Sequence, residues 1–189
     1  SMARRHGEYA SVREAILATA SSLFLQGGVH AVSLQDIAAA ADLSKGTLYY
    51  YYPTKDSLVM ELAHGNIETV TDTLFAWVDS LSRGDDMHAA VLRLVDAITA
   101  EEQLGGLHIV LCAEAAMGSA ALRELLNAAY REWTVMFEVG ALKVQSKNAA
   151  AIRAKSGLFF TVLLGYVLQR QSGVGNPARD KLADFFMLS

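Results

Sequence analysis

Proline is nearly absent from this chain, which has 189 residues and only Pro53 and Pro177. Proline lacks an N–H and clashes with the preceding turn, so its scarcity leaves long stretches free to stay helical. Alanine and leucine abound, several segments of about twenty residues contain no breaker, and the alternating pattern and turn pairs of strands and hairpins are missing. The expected fold class is all-α. An apolar content of 52% is enough for a sizeable buried core.

Punctuation divides the chain into helices. A first helix is expected over residues 9–26, ended by Gly27-Gly28. Ser33 caps a second over 34–41, with Asp36 three residues on supplying the negative charge of a capping box, and Leu34, Ile37, Ala38 and Ala41 inward. Asp42-Leu43-Ser44 makes a tight turn, and Ser44 caps a third helix over 45–51. Pro53 keeps its predecessor out of helical geometry, and Thr54 caps a fourth helix running from Lys55 to about Leu81. Its apolar spacing slips at Gly65-Asn66, either as a bend or as a tolerated glycine. Breaks at Arg83–Asp85, Gly105-Gly106, Met117–Ser119, Ser146–Asn148 and Gly173–Pro177 give five further helices, and so about nine in all. The expected division is a three-helix domain over residues 2–54 and a larger helical domain over 55–189.

Residues 33–58 form one unit with the logic of a helix-turn-helix. Ala38 and its alanine neighbours let two helices cross closely, and Leu43 and Leu48 plug the angle between them. With Leu48 inward, a rotation of about 100° per residue points Gly46 and Tyr50 outward and sets Thr47 and Tyr49 on the flanks, a face able to enter a major groove. Gly46 lets the backbone approach, Thr47 suits a base edge or thymine methyl, and Lys45 suits guanine or phosphate. The hydroxyls of Tyr49, Tyr50 and Tyr51 suit phosphate oxygens. Lys55, with the N-terminal amides of the fourth helix, forms a second anion-binding end, and Ser33 and Gln35 face the same duplex. An aromatic stripe is usually core, but four consecutive tyrosines cover every side of a helix, so at least two must face solvent or a partner. Charge agrees with a local patch: residues 1–55 carry five Lys/Arg against four Asp/Glu, +1, and the rest 11 against 16, −5, within a net −4.

This stretch resembles the N-terminal pattern of the tetracycline-repressor (TetR) family, matching it at Ser33, Ile37, Ala38, Ala41, Ser44, Gly46, Leu48, Tyr49, Tyr51, Lys55 and Leu58. Asp42 replaces the usual glycine and Tyr52 the usual phenylalanine. Asp still tolerates left-handed geometry, and tyrosine keeps the ring. The resemblance implies phosphate contacts by Tyr49 and Lys55 and base-edge contacts around Lys45, Thr47, Tyr50 and Gln35. It implies a repressor of nine helices that binds a near-palindromic double-stranded operator as a homodimer and is released by a small hydrophobic effector.

The dimer contact would fall on the last two helices, residues 148–171 and 178–188. The run from Ser156 to Gln169 is uncharged and apolar on every side, unlike a monomer's surface helix. Leu158, Val162 and the small Gly165 can meet a partner copy, with Phe185 and Phe186 completing a four-helix contact. Recognition helices would then lie about 34–36 Å apart. An effector pocket would fall among the middle helices, about residues 87–143, with Trp77, Leu104, His108, Cys112, Met117, Tyr130, Trp133, Met136, Phe137 and Phe159 as candidates to line it. For each of those residues plain core packing is the stronger explanation. Effector binding would reach the recognition helices through the fourth helix.

Other functions are weaker readings. His108 and Cys112, four apart, with Glu114 nearby, suggest a metal- or redox-sensing regulator. Zinc, however, needs three or four ligands, so no metal is expected. Adjacent carboxylates such as Asp85-Asp86 and Glu101-Glu102 point apart on a helix, and no phosphate loop, Gly-x-Ser-x-Gly or His-Glu-x-x-His motif occurs, so neither an enzyme nor a cofactor is expected. A third alternative is a relative that has lost DNA binding and serves as an interaction module, against which the intact face at 45–50 argues. A 14-residue uncharged run is shorter than the roughly 20 residues of a membrane span. Val12, Ile16, Ala20, Leu23 and Phe24 share one helical face, unlike a secretion signal. A single cysteine fits a reducing compartment, and cytoplasm is the expectation.

Overall fold

The caps named above start helices where side-chain oxygens can satisfy the first-turn N–H groups, and the architecture follows from them. In a computed structural model, residues 2–175 and 177–187 are described, save the side chains of residues 3, 4 and 6. Among the described residues there are nine helices and no strand: α1 (Met2–Gly27), α2 (Leu34–Ala40), α3 (Lys45–Tyr51), α4 (Lys55–Ser80), α5 (Met87–Thr99), α6 (Glu102–Ala116), α7 (Ala120–Val144), α8 (Ala149–Ser172) and α9 (Arg179–Met187). Leu188, expected in the last helix, lies outside the described residues, as does position 176.

Ser33 and Asp36 form a full capping box: the Asp36 N–H donates to Ser33 Oγ at 3.0 Å and the Ser33 N–H to Asp36 Oδ2 at 2.8 Å. The Ser33 N–H, and after it the Ser33 side chain, hold the Asp36 carboxyl below the usual carboxylate range. Ser44 Oγ accepts the Thr47 N–H, and Thr54 and Ser57 cap each other reciprocally. Asp42 takes φ 54°, the left-handed turn for which aspartate is suited.

Helix α4 runs unbroken through Gly65-Asn66, the tolerated glycine of the two alternatives, with Asn66 buried and hydrogen-bonded to α6. Two boundaries differ from expectation. Helix α1 begins at Met2 rather than near residue 9. Gly105-Gly106 lies inside α6, which opens instead at Glu101. Close packing explains this pair: a Cβ on Gly105 would lie 2.9 Å from Val167 Cγ1 on α8, and one on Gly106 would lie 2.9 Å from Leu25 Cδ2 on α1. The glycines let three helices meet and are not breakers.

Burial gives two cores. One joins Ile16, Phe24, Ile37, Leu48 and Leu58 to Leu111 and Leu122, so α1–α3 rest on α4, α6 and the start of α7. The other joins Leu74, Trp77, Leu94, Trp133, Phe137, Phe159 and Phe186 across α4, α5, α7, α8 and α9. Helix α4 runs through both.

Candidate nucleic-acid interface and interior chamber

In α3 the one buried residue is Leu48, fully enclosed against the first core. With Leu48 inward, Lys45, Gly46, Thr47, Tyr49 and Tyr50 all lie exposed, and Tyr50 is 76% exposed. Ser33 and Gln35 at the head of α2 are exposed as well. Lys45 Nζ sits 5.6 Å from the centre of the Tyr49 ring, a cation–π contact that orders both side chains. The Thr47 hydroxyl meets Ser44 Oγ at 2.8 Å, so it is held in place at the start of the helix.

The four tyrosines divide by face. Tyr52 is buried, and its hydroxyl oxygen accepts from Arg13 Nε at 3.1 Å. Arg13 also pairs with Glu61, tying α1, the end of α3 and α4 together. Tyr51 is half-buried, its ring tilted against that of Tyr9 on α1 at 4.6 Å between centres, and burial pushes its phenol pKa up. Tyr51 is therefore partly a packing residue, whereas Tyr49 and Tyr50 face solvent. Lys55 is half-buried at the start of α4.

Behind this unit, α4, α5, α6, α7 and α8 enclose a chamber of about 670 Å³, its open mouth included. Leu104, His108, Tyr130 and Trp133 line it, as expected. The other six candidates stand elsewhere. Trp77 and Phe159 are buried in the second core, where the Trp77 indole N–H donates to the Ala90 carbonyl at 2.8 Å. Met136 packs in the same core, and Phe137 borders a separate cleft beside α9. Cys112 is half-buried against the first core. Met117, at the turn after α6, is 70% exposed and cannot line an interior site. The missed lining comes from helix ends: Ile98 and Thr99 closing α5, Glu101 and Glu102 opening α6, and Phe160, Leu163, Leu164, Val167, Arg170 and Gln171 along α8, with Val70 on α4.

The chamber floor carries a chain of hydrogen bonds with a fixed direction. Asn66 Nδ2 donates to the Leu104 carbonyl at 3.0 Å, which can only accept, so Asn66 Oδ1 faces His108 Nδ1 at 2.7 Å. Burial holds the His108 pKa down to about 4, so the ring is neutral at pH 7. Nδ1 therefore carries its one proton, and Nε2 accepts from the Tyr130 hydroxyl at 2.8 Å. Burial pushes the Tyr130 phenol up, so it stays protonated to do this. Asn66 was not foreseen, although a polar residue in an apolar helical stripe is the signal that marks it.

Metal or redox sensing finds no constellation here. Burial pushes the Cys112 thiol up, opposite to what a reactive thiolate needs. Glu114 turns to His30 at 3.4 Å, and no group of three or more His, Cys, Asp and Glu among the described residues is placed to hold an ion.

Of the expected dimer residues, Phe186 is corrected: it is buried within its own chain against Phe159 and Phe137, at 5.1 and 6.0 Å between ring centres. Val162 is half-buried on the same core. Leu158, Gly165 and Phe185 are exposed, and Ala154, Thr161 and Leu168 extend the exposed stripe along α8. Helix α8, at 24 residues with a mean hydropathy of 1.4 over its most apolar window, is long and apolar enough to cross a membrane, and 22% of that window is buried in the chain. The uncharged run is thus shorter than the helix that carries it.

Comparison with known proteins agrees with this geometry. Residues 16–62 match the family model for bacterial regulatory proteins, tetR family. The HTH-type transcriptional regulator LmrA of Bacillus subtilis is 28% identical over 150 residues, 78% of each chain. The HTH-type transcriptional repressor KstR2 of Mycobacterium tuberculosis is 35% identical over 75 residues, 40% of this chain and 36% of its own. A transcriptional regulator of Saccharomonospora viridis, solved in complex with choline, superposes with a TM-score of 0.71 at 19% identity over 94% of each chain. Over residues 16–62 the chain is similar to bacterial regulatory proteins of the tetR family, and its all-helical fold is that of the solved regulators.

Proposed function

We propose that this chain is a transcriptional repressor that binds a near-palindromic operator as a homodimer and is released by a small, largely hydrophobic effector. Residues 2–54 serve as the reading unit and residues 55–189 as the regulatory and dimerising unit. The observation that carries the reading is α3, anchored by Leu48 and the Ser44 cap, with Lys45, Gly46, Thr47, Tyr49 and Tyr50 turned to solvent. A helix built only for packing would bury more than one of its seven residues.

In this reading Thr47 and Tyr50 meet base edges, Gly46 allows close approach, and Lys45 meets a guanine or a phosphate. Tyr49, Tyr51 and Lys55 contact phosphates on one side, with Ser33 and Gln35 at the head of α2 on the other. The exposed α8 stripe with Phe185 from α9 forms the twofold contact, which places two recognition helices about one DNA turn apart. The effector occupies the chamber on Leu104, His108, Tyr130 and Trp133. The S. viridis regulator holds choline, a small molecule, and supports a comparable response here. An effector that binds better when the reading units are misaligned shifts the population away from DNA through α4, and through α6 where Gly106 meets Leu25. A DNA target puts the working protein in the cytoplasm.

Selection from a random double-stranded DNA pool tests the reading. Enrichment of an inverted repeat whose binding weakens steeply with salt supports it; sequence-blind, salt-insensitive retention contradicts it.

A further inference from the structure

The polar atoms around the chamber share a bias that its apolar walls conceal. Four side-chain donors on the lining are already engaged elsewhere. The Tyr130 hydroxyl is committed to His108 Nε2, the Thr99 hydroxyl to the Val95 carbonyl at 2.7 Å, the Trp133 indole N–H to Thr71 Oγ1 at 2.9 Å, and Gln171 Nε2 to the Glu102 carbonyl at 2.9 Å. The His108 N–H is likewise spent on Asn66. What these groups still offer is chiefly lone pairs, on Tyr130 Oη, Thr99 Oγ1 and Gln171 Oε1, beside one remaining N–H of Gln171. Tyr130 Oη also lies in hydrogen-bonding contact with the Cys112 sulfur.

The mouth leans the same way. Glu101 and Glu102 border it, with Arg170 as the opposing cation, so with neutral His108 the lining carries two negative charges against one positive. Helix α6 opens without a side-chain cap, which leaves N-terminal amides there, but an anion approaching them meets both carboxylates. Three aromatic faces line the wall: Tyr130, Trp133 and Phe160, with centroid separations of 5.1 to 6.3 Å. They suit a ring-sized apolar body and tolerate a cationic group over their faces.

We propose that the chamber selects molecules with a ring-sized apolar body and a hydrogen-bond-donating head, a primary amine or an alcohol, and discriminates against carboxylates of the same shape. This rests on the effector-chamber reading above. A donating head finds waiting acceptors and two carboxylates, whereas a carboxylate meets those two like charges against the single Arg170 guanidinium, with most neutral donors of the wall already committed.

Matched probes test this on the whole protein: 4-phenylbutylamine, 4-phenylbutan-1-ol and 4-phenylbutyrate, titrated by calorimetry and by the emission of Trp133 on the chamber wall. The amine and the alcohol are expected to bind several-fold more tightly than the acid, whose carboxylate meets two like charges against one guanidinium at the mouth. The exposed double substitution Glu101→Gln/Glu102→Gln weakens the amine several-fold and leaves the alcohol unchanged. Tyr130→Phe weakens the alcohol, and Thr99→Val does the same where loss of the Tyr130 hydroxyl unsettles the fold. An acid that binds as tightly as the amine and alcohol overturns the proposed selectivity while leaving the effector chamber standing. Failure of all three probes to bind at millimolar concentration overturns both.

Discussion

Acid should weaken this protein through His108. Its ordinary pKa is 6.5, and burial holds it to about 4 in the folded chain. As pH falls through about 6.5 the unfolded chain takes up a proton at this residue, and the folded chain refuses it until about pH 4. The unfolded state therefore binds more protons across that window, so stability contributed by the neutral ring is complete above the upper value and is lost toward the lower one. At about 1.36 kcal/mol per pH unit the full loss is roughly 3 kcal/mol. The comparison protein is His108→Gln, whose amide keeps a donor for Asn66 Oδ1 and an acceptor for the Tyr130 hydroxyl but does not titrate. Urea unfolding of both proteins, followed by tryptophan emission at one protein concentration, isolates the effect, because every other titrating group is common to the two. Between about pH 7 and about pH 4 the parent should lose roughly 3 kcal/mol more than the variant. Parallel pH profiles would refute the buried neutral imidazole and the direction assigned to the hydrogen-bond chain.

Gly140→Ala should destabilise the fold, because its Cβ would lie 2.4 Å from Trp77 Cζ3, on a ring stacked against Phe137 and tethered to the Ala90 carbonyl. Overpacking of about 1–3 kcal/mol outweighs the gain of about 1 kcal/mol in helix propensity, and the denaturation midpoint reports the sum. Thr47→Ala and Tyr50→Ala should each weaken binding to the selected operator by about 1–3 kcal/mol. Tyr50→Ala should leave the melting temperature nearly unchanged, since the side chain is largely exposed. Leu158→Glu sets charge into the proposed twofold contact; sedimentation at micromolar concentration should show a monomer with reduced operator affinity, and an unchanged dimer would place the contact elsewhere.

The reading unit was the most legible part of the chain because its signals are local. Ser33, Ser44 and Thr54 each start a helix with their own side chain, Pro53 ends one, and Leu48 sets which way α3 faces. Exposure of Tyr49 and Tyr50 followed from the impossibility of burying four adjacent tyrosines, but the assignment of Tyr52 to Arg13 and of Tyr51 to Tyr9 depended on α1, distant in sequence. The chamber was less legible for the same reason. Aromatic and methionine residues mark burial without distinguishing a wall from a core, so Trp77, Met136 and Phe159 proved to be filling, and Met117 lay at a surface turn. Gly105-Gly106 resembled a break because a glycine pair carries no sign of the helices that Val167 and Leu25 bring against it. Phe185 and Phe186 are neighbours of identical type on α9, and only the packing of Phe137 and Phe159 determines that the second faces inward.

The outward face of α3 is best tested by a crosslink from its most exposed residue. Tyr50→Cys carrying a photoreactive aryl azide, irradiated with the selected operator, should attach to bases within each half-site, while the same group at Val135, exposed on α7, should attach to none. Crosslinking from position 135 but not from position 50 would contradict the account.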